Sequence, residues 1–362
     1  MLTPAFGNGV FREYMDFYNS QARSLVKQWA PLSGKGEFNP KPHLRRAALQ
    51  TIIRTTLGLQ IKEGLTSQMQ LYLKSIDEIV NVITKRIQTI WMHNDFLYNR
   101  SSLKRKEENC LKIINAYSKR VIKNKREAEK NAQPQQNHKG RTQGFLDLAL
   151  QLTKDDLMSD QLLLEHINSL TFAGYHTVSA SLHFILLIIG SYTEVQNRIY
   201  DELHDVLRGT AEEDITVVQL SKLVYIDAVI NEAARLYPVA PVVLRYIEKD
   251  VQLQNYTMKA GCDCVVMLHE LNRSRIWGPD KDQFRPERWL EPGLLANAKD
   301  YTGFGTGRRA CLGRSYAMLS LKTTLAHLIR RYKVTADHTK MKITLEINLE
   351  PVEGHGISIE SR

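Results

Sequence analysis

The sequence is poor in cysteine, with four in 362 residues, at positions 110, 262, 264 and 311. So few and so scattered, they make no disulfide framework, and the chain reads as one from a reducing compartment. No secretory leader is expected either, because Met1-Leu2-Thr3-Pro4 has neither a basic start nor an apolar run. The longest unbroken apolar stretch, 184–190, is too short to cross a bilayer, so the chain taken literally is soluble. There is no internal repeat, which excludes solenoids and propellers. Acidic residues are in deficit, 39 Asp and Glu against 49 Lys and Arg, for a net charge of +10. Such a surface attracts nucleic acid, anionic lipid or an acidic protein. The one basic cluster, 104–141, has no interleaved aromatics and no known nucleic-acid signature, so no nucleic-acid partner is expected.

A hydrophobic content of 43% with 24% charged residues is that of a globular protein with a substantial core. Apolar residues recur at helical spacing at Phe11, Met15, Tyr18 and Ala22, and again over 44–57 and 69–90. Residues 104–132 read as a long charged helix whose inner stripe is Leu111, Ile114, Val121 and Ile122. The polar segment 133–144 is expected to be a flexible internal loop within one domain covering 1–362. From about Ser159 to Tyr192 runs a helix apolar on nearly all sides, including Leu162 and Leu163, which predicts burial at the centre of the fold. One further helix is expected over 219–237, stopped by Pro238. Short strands are expected at 242–246, 251–253, 264–268, 343–349 and 357–360. The fold class is therefore mainly α with small β-sheets. Cys262-x-Cys264 has no second pair to complete a metal site and reads as two residues on one face of a strand.

Cys311 stands in Phe304-Gly305-Thr306-Gly307-Arg308-Arg309-Ala310-Cys311-Leu312-Gly313, followed at once by a helical pattern. Glycines at flanking turns let the backbone curl around a thiol, with N–H groups directed at the sulfur. Arg309 adds a fixed charge suited to a ligand carboxylate. The competing reading is a buried free cysteine in a glycine turn.

With five fixed residue types, F-x-x-G-x-R-x-C-x-G resembles the haem-thiolate loop of the cytochrome P-450 monooxygenases. In that family the cysteine is the iron ligand, and its electron donation favours O–O cleavage. Two further motifs stand upstream in the family's order. Glu232 and Arg235, three apart on one helix face, and Arg288 in Phe284-Arg-Pro-Glu-Arg-Trp289 match the buried charge network that braces the haem loop. Ala173-Gly174-Tyr175-His176-Thr177 resembles the oxygen-binding segment, in which a small pair opens a groove and Thr177 assists O–O cleavage. Here His176 stands where the family often has an acid, and Val178 where many relatives have a second threonine. His176 is expected to relay protons in place of that acid. Arg245 and Arg309 match the partners of the haem propionates. Val239, Ala240, Val242 and Val243, with Phe172 and Ala173, would line the substrate pocket. Phe304, Gly305, Gly313, Ala173 and Gly174 complete the expected cofactor contacts.

The segments Leu2-Thr-Pro-Ala-Phe6, Phe145-Leu-Asp-Leu148 and Thr171-Phe-Ala-Gly174 look most like the microsomal family-four branch of fatty-acid omega-hydroxylases and insect enzymes. A glutamate that bonds covalently to haem in many of its members is replaced by Ala173, so the haem is expected to be non-covalent. The first residues resemble a segment just after the family's third main helix. This implies an N-terminally truncated fold that has lost pairing partners for the strands at 242–246 and 264–268. The resemblance implies NADPH–cytochrome P-450 reductase as electron donor, with cytochrome b5 as a further partner, and an apolar small-molecule substrate. It also implies a full-length form on the cytosolic face of the endoplasmic reticulum membrane. Two other readings stay open: an impaired or inert haem-binding fragment of the family, and a basic interaction protein without haem.

Overall fold

The structure, a computed structural model, describes residues 8–59, 66–131, 144–209, 213–291, 301 and 303–362. The expected loop 133–144 lies outside the described residues except for Gly144, and so does the Leu2–Phe6 segment.

The fold is mainly helical, with small two-stranded sheets. Helices α1 (Asn8–Trp29), α2 (Lys41–Thr56) and α3 (Ser67–Gln88) follow the apolar spacing of the sequence. Short α4 (Asp95–Arg100) and long α5 (Ser102–Asn131) come next, then α6 (Phe145–Lys154). The inner stripe of α5 is Cys110, Ile114, Ser118, Val121, Ile122 and Lys125, and Leu111 is exposed. That corrects the expected stripe by one residue. Lys125 is tolerated inside because its ammonium pairs with Asp147 at 2.7 Å.

Helix α7 (Asp160–Ser191) starts at Ser159, whose hydroxyl accepts from the Leu162 N–H, and threads the core as expected. Among the described residues it is the one helix long and apolar enough to cross a membrane, and most of that stretch is buried inside the protein. Leu162, on its first turn, is exposed. Gly174 lies on the face toward α2, where a Cβ would come within 2.8 Å of Ile52 Cγ1. A glycine is what lets these two helices pack this closely.

Helix α8 (Thr193–Leu207) is followed by two helices where one was expected, α9 (Val217–Lys222) and α10 (Val224–Leu236). The chain breaks at Leu223, with φ −83° and ψ 81°, although the apolar spacing runs on. Thr216 and Gln219 form a reciprocal capping box at the start of α9, the local signal that marks the extra helix.

Strand β1 (Val242–Tyr246) pairs antiparallel with β4 (Asp263–Met267), and β2 (Val251–Gln252) with β3 (Thr257–Met258). Leu268 starts α11 (Leu268–Leu271) rather than ending a strand. After α12 (Arg314–Arg331), β5 (Tyr332–Thr335) pairs with β8 (Ser358–Ser361). The run 343–349 is a hairpin, β6 (Lys342–Leu345) and β7 (Leu349–Glu353), because Glu346 and Asn348 close a turn there. Among the described residues β1 and β4 pair only with each other, and Leu244, Tyr246, Val265 and Met267 are exposed.

Candidate active site

Cys311 lies between a turn of 3₁₀ helix, Gly307–Arg309, and the start of α12. Gly305 and Gly307 take φ of 70° and 69°, which closes the loop back so that the Cys311 N–H donates to the Phe304 carbonyl at 2.7 Å. The cysteine is exposed. Crowding by its loop raises the thiol above its ordinary value, while the Gly313 N–H and Arg314 act in the opposite direction. Arg314 also stands over the Phe304 ring, 5.6 Å from its centroid. Gly313, half-buried, is the residue from which α12 springs, and a Cβ there would sit 3.8 Å from the sulfur.

Behind this loop lies a buried charge network. Glu232, Arg235 and Arg288 are 0%, 0% and 1% exposed. Arg235 makes two bonds of 2.9 Å to the Glu232 carboxylate, and Arg288 Nε adds a third of 2.9 Å. The Arg285 N–H and Trp289 Nε1 donate to the same carboxylate at 3.0 Å. The two guanidiniums also donate to carbonyls of Asn272, Trp277, Asp280, Lys281 and Gln283, and Arg288 reaches the Asp280 carboxylate at 3.4 Å. A carboxylate so saturated tolerates full burial. The Trp289 ring meets Tyr301 at 4.7 Å, three residues before Phe304, which carries the brace to the cysteine loop. This network is the one expected from the sequence. Tyr301 was not singled out, since a lone tyrosine has no pattern to mark it.

On α7, Ala173 is exposed and Thr177 half-buried, whereas the helix is almost wholly buried from Tyr175 to Gly190. Ser169, Ala173, Thr177 and Ser181 follow at intervals of four, forming a stripe of small residues open on a helix otherwise packed. The Thr177 hydroxyl donates to the Ala173 carbonyl at 2.6 Å. Arg245 and Arg309 are both exposed and form no ion pair among the described residues, and the Arg245 guanidinium bonds only the neighbouring Leu244 carbonyl. A free thiol, a small-residue stripe and two uncommitted guanidiniums fit a flat apolar macrocycle carrying an iron and two carboxylates. Val242, Val243 and Val239 are half-buried and Ala240 is exposed beside β1.

Two expectations change. Gly174 packs against α2, so it serves helix contact rather than an open groove. His176 is buried, 1% exposed, with Nδ1 at 2.8 Å from Asn348 Nδ2 and Nε2 at 3.2 Å from Glu350. The Asn348 amide donates to Nδ1, so Nε2 carries the hydrogen and donates to the Glu350 carboxylate. Burial lowers the pKa of His176 first, and Arg45 and Lys41 act in the same direction, against Glu350 and Asp77. Both ring nitrogens are thus engaged on the packed side of α7, one helix step from Thr177. Glu350, Arg45 and Asp77 were missed in the sequence because they come from three distant segments with no common spacing.

These features have counterparts in known proteins. A family profile described as Cytochrome P450 matches residues 1–353. The chain belongs to the cytochrome P450 family. It is 26% identical over 381 residues to "Cytochrome P450 4c3" of Drosophila melanogaster and 28% identical over 375 residues to "Cytochrome P450 4V2" of Homo sapiens. Each alignment takes in all of this chain and 71% of the relative's length. "Cytochrome P450 4d2" of Drosophila melanogaster is 25% identical, with 74% of its length covered. These relatives carry family-four names, in keeping with the branch read from the sequence. Membership of the family implies a haem-thiolate monooxygenase. Cys264 lies in β4 and Cys262 just before it, so the two do not form the single strand face expected of them.

Proposed function

We propose that this P450 inserts one oxygen atom from dioxygen into an apolar substrate such as a fatty acid, a hormone-like lipid or a xenobiotic. The observation that carries the reading is the exposed Cys311 thiol, held by a glycine-turned loop and backed by a saturated buried brace. When bound, non-covalent haem supplies the redox chemistry of oxygen activation. Cys311 would hold its iron, Arg245 and Arg309 its propionates, and Phe304, Gly305 and Gly313 would wrap the thiolate side. Thr177 presents a hydroxyl at the open face of α7, where, released from the Ala173 carbonyl, it would be a hydrogen-bond donor on the substrate side of the haem. Val239, Val242, Val243, Phe172 and Ala173 would exclude water from the substrate.

Electrons would come from NADPH through a flavoprotein reductase, with cytochrome b5 as a second donor. Arg308, Arg309 and Arg314, all exposed around the cysteine loop, give a basic surface for an acidic redox partner. The protein would work at the cytosolic face of the endoplasmic reticulum. Reconstitution with haem, reductase and NADPH tests the reading: hydroxylated lipid formed in step with NADPH use supports it. Haem binding without any oxygenated product would favour the inert relative.

A further inference from the structure

Lys41 and Arg45, both on α2, point toward α7 at His176. Two cations beside a buried neutral ring require counter-charge from elsewhere. Glu350 of β7 supplies it, although it is 2% exposed: both of its oxygens accept from Arg45, at 2.8 and 3.0 Å, and Lys41 pairs with it as well. Burial alone would raise the Glu350 carboxyl, but Arg45 and Lys41 outweigh it and hold the group below its ordinary value. Arg45 also reaches Asp77 of α3 at 2.9 Å, and Asp77 accepts from the Tyr175 hydroxyl at 2.8 Å. Next to the cluster is a cavity of about 180 Å³ lined by Lys41, Arg45, Asp77, Asn81, His176 and Glu346, which meets solvent at exposed Asn81. It is polar and large enough for several waters.

We propose that Glu350 replaces, from the C-terminal hairpin, the acid missing in front of Thr177. In this role it is a positioning residue that sets the electrostatic potential of a water-filled proton antechamber behind α7. The inference rests on the monooxygenase reading for its catalytic consequence. The titratable groups that line the antechamber are Lys41 and Arg45 from α2, Asp77 from α3, His176 from α7 and Glu346 from the hairpin turn; Glu350 and His183 lie behind Lys41 and Arg45, and Tyr175 behind Asp77. The carboxylates of Asp77 and Glu350 balance Lys41 and Arg45, so a hydronium ion can enter water between the two cations. Without Glu350 behind them, Lys41 and Arg45 present more positive charge to the cavity, and proton occupancy falls roughly tenfold at an intermediate effective dielectric. Protons drawn from this water would be passed toward the Thr177 side of α7, each hydronium leaving water behind.

The test compares wild type, Glu350→Gln and the double variant Glu350→Gln with His176→Asp, which returns the carboxylate to the helix. With haem and reductase present, the readout is the share of NADPH electrons recovered as hydrogen peroxide, followed against pH. We expect Glu350→Gln to raise that share several-fold, with the rise relieved at lower pH, and the double variant to restore it. A second readout needs neither haem nor turnover. The Glu346 carboxyl is raised by burial and then by Glu350, so its ¹³C titration midpoint should drop in Glu350→Gln and recover in the double variant. A lower melting temperature with unchanged peroxide share and pH profile would reduce Glu350 to a structural tie and overturn the proposal, as would an unmoved Glu346. If thiolate-bound haem never forms, the monooxygenase reading fails, and the Glu346 titration still decides the electrostatic claim. If Glu350→Gln does not fold, Asp77→Asn removes a carboxylate that lines the cavity beside Arg45 and also raises Glu346, and it carries the same expectation.

Discussion

The brace behind Cys311 and the cluster behind Thr177 are both buried ionic networks, yet they are built on opposite plans. In the brace one fully buried carboxylate, Glu232, serves two guanidiniums that also bond five backbone carbonyls, with the Asp280 carboxylate a second, more distant partner of Arg288. In the cluster, side chains from α2, α3, α7 and β7 meet beside a cavity open to solvent. The first arrangement is rigid and indifferent to water, as a loop that must hold a thiolate requires. The second keeps ionisable groups in contact with water, as a supply of protons requires. Burial of charge thus serves two ends in one molecule, and the backbone carbonyls around the brace are what separate them.

The largest effect should come from breaking the brace. Glu232→Gln leaves Arg235 with no carboxylate and Arg288 with only Asp280 in a buried site, and is expected to cost about 3–5 kcal/mol, read from denaturant unfolding. Acid should act on the other side of the molecule. His183, whose Nε2 lies 2.8 Å from the His355 carbonyl, is lowered by burial from 6.5 to about 4. A histidine depressed in the folded state gives stability that is complete above pH 6.5 and lost as pH falls toward 4, up to roughly 3 kcal/mol. His176 shifts in the same direction. Melting temperatures measured across that range should therefore fall in wild type and fall less in His183→Gln. An equal slope in both would show that His183 is not the group responsible.

Glu350→Gln should cost less than Glu232→Gln, roughly 2 kcal/mol, because Lys41 and Arg45 retain solvent and Arg45 keeps Asp77. If the two losses were equal, the contrast between a dry brace and a wet cluster would fail. The smallest change is Gly174→Ala, which pushes a methyl onto the Ile52 side chain and should cost about 1 kcal/mol, with partial recovery in Ile52→Val.

The same contrast explains what the sequence made legible. Cys311, its glycines, Arg309 and the Glu232–Arg235 pair lie within short motifs, where fixed spacing reflects a local backbone need. Helix α7 was visible because burial on all sides leaves an unbroken apolar signal. Glu350, Arg45 and Asp77 come from segments more than thirty residues apart, and no period links them, so only folding brings them to His176. His176 was misread for a related reason: its neighbour Thr177 belongs to the open face, but one step along a helix turns a side chain toward a different environment. The break at Leu223 escaped because apolar spacing continued through it, even though the capping pair Thr216 and Gln219 was present in the sequence.

The central claim is that Cys311, set by its loop and brace, holds haem iron as a thiolate. The carbon monoxide difference spectrum of the reduced, haem-loaded protein tests it most directly, in wild type and in Cys311→Ala. The account predicts the strongly red-shifted band of thiolate ligation in wild type and its absence in the variant. A band typical of an imidazole ligand in wild type, or the thiolate band persisting in Cys311→Ala, would contradict it.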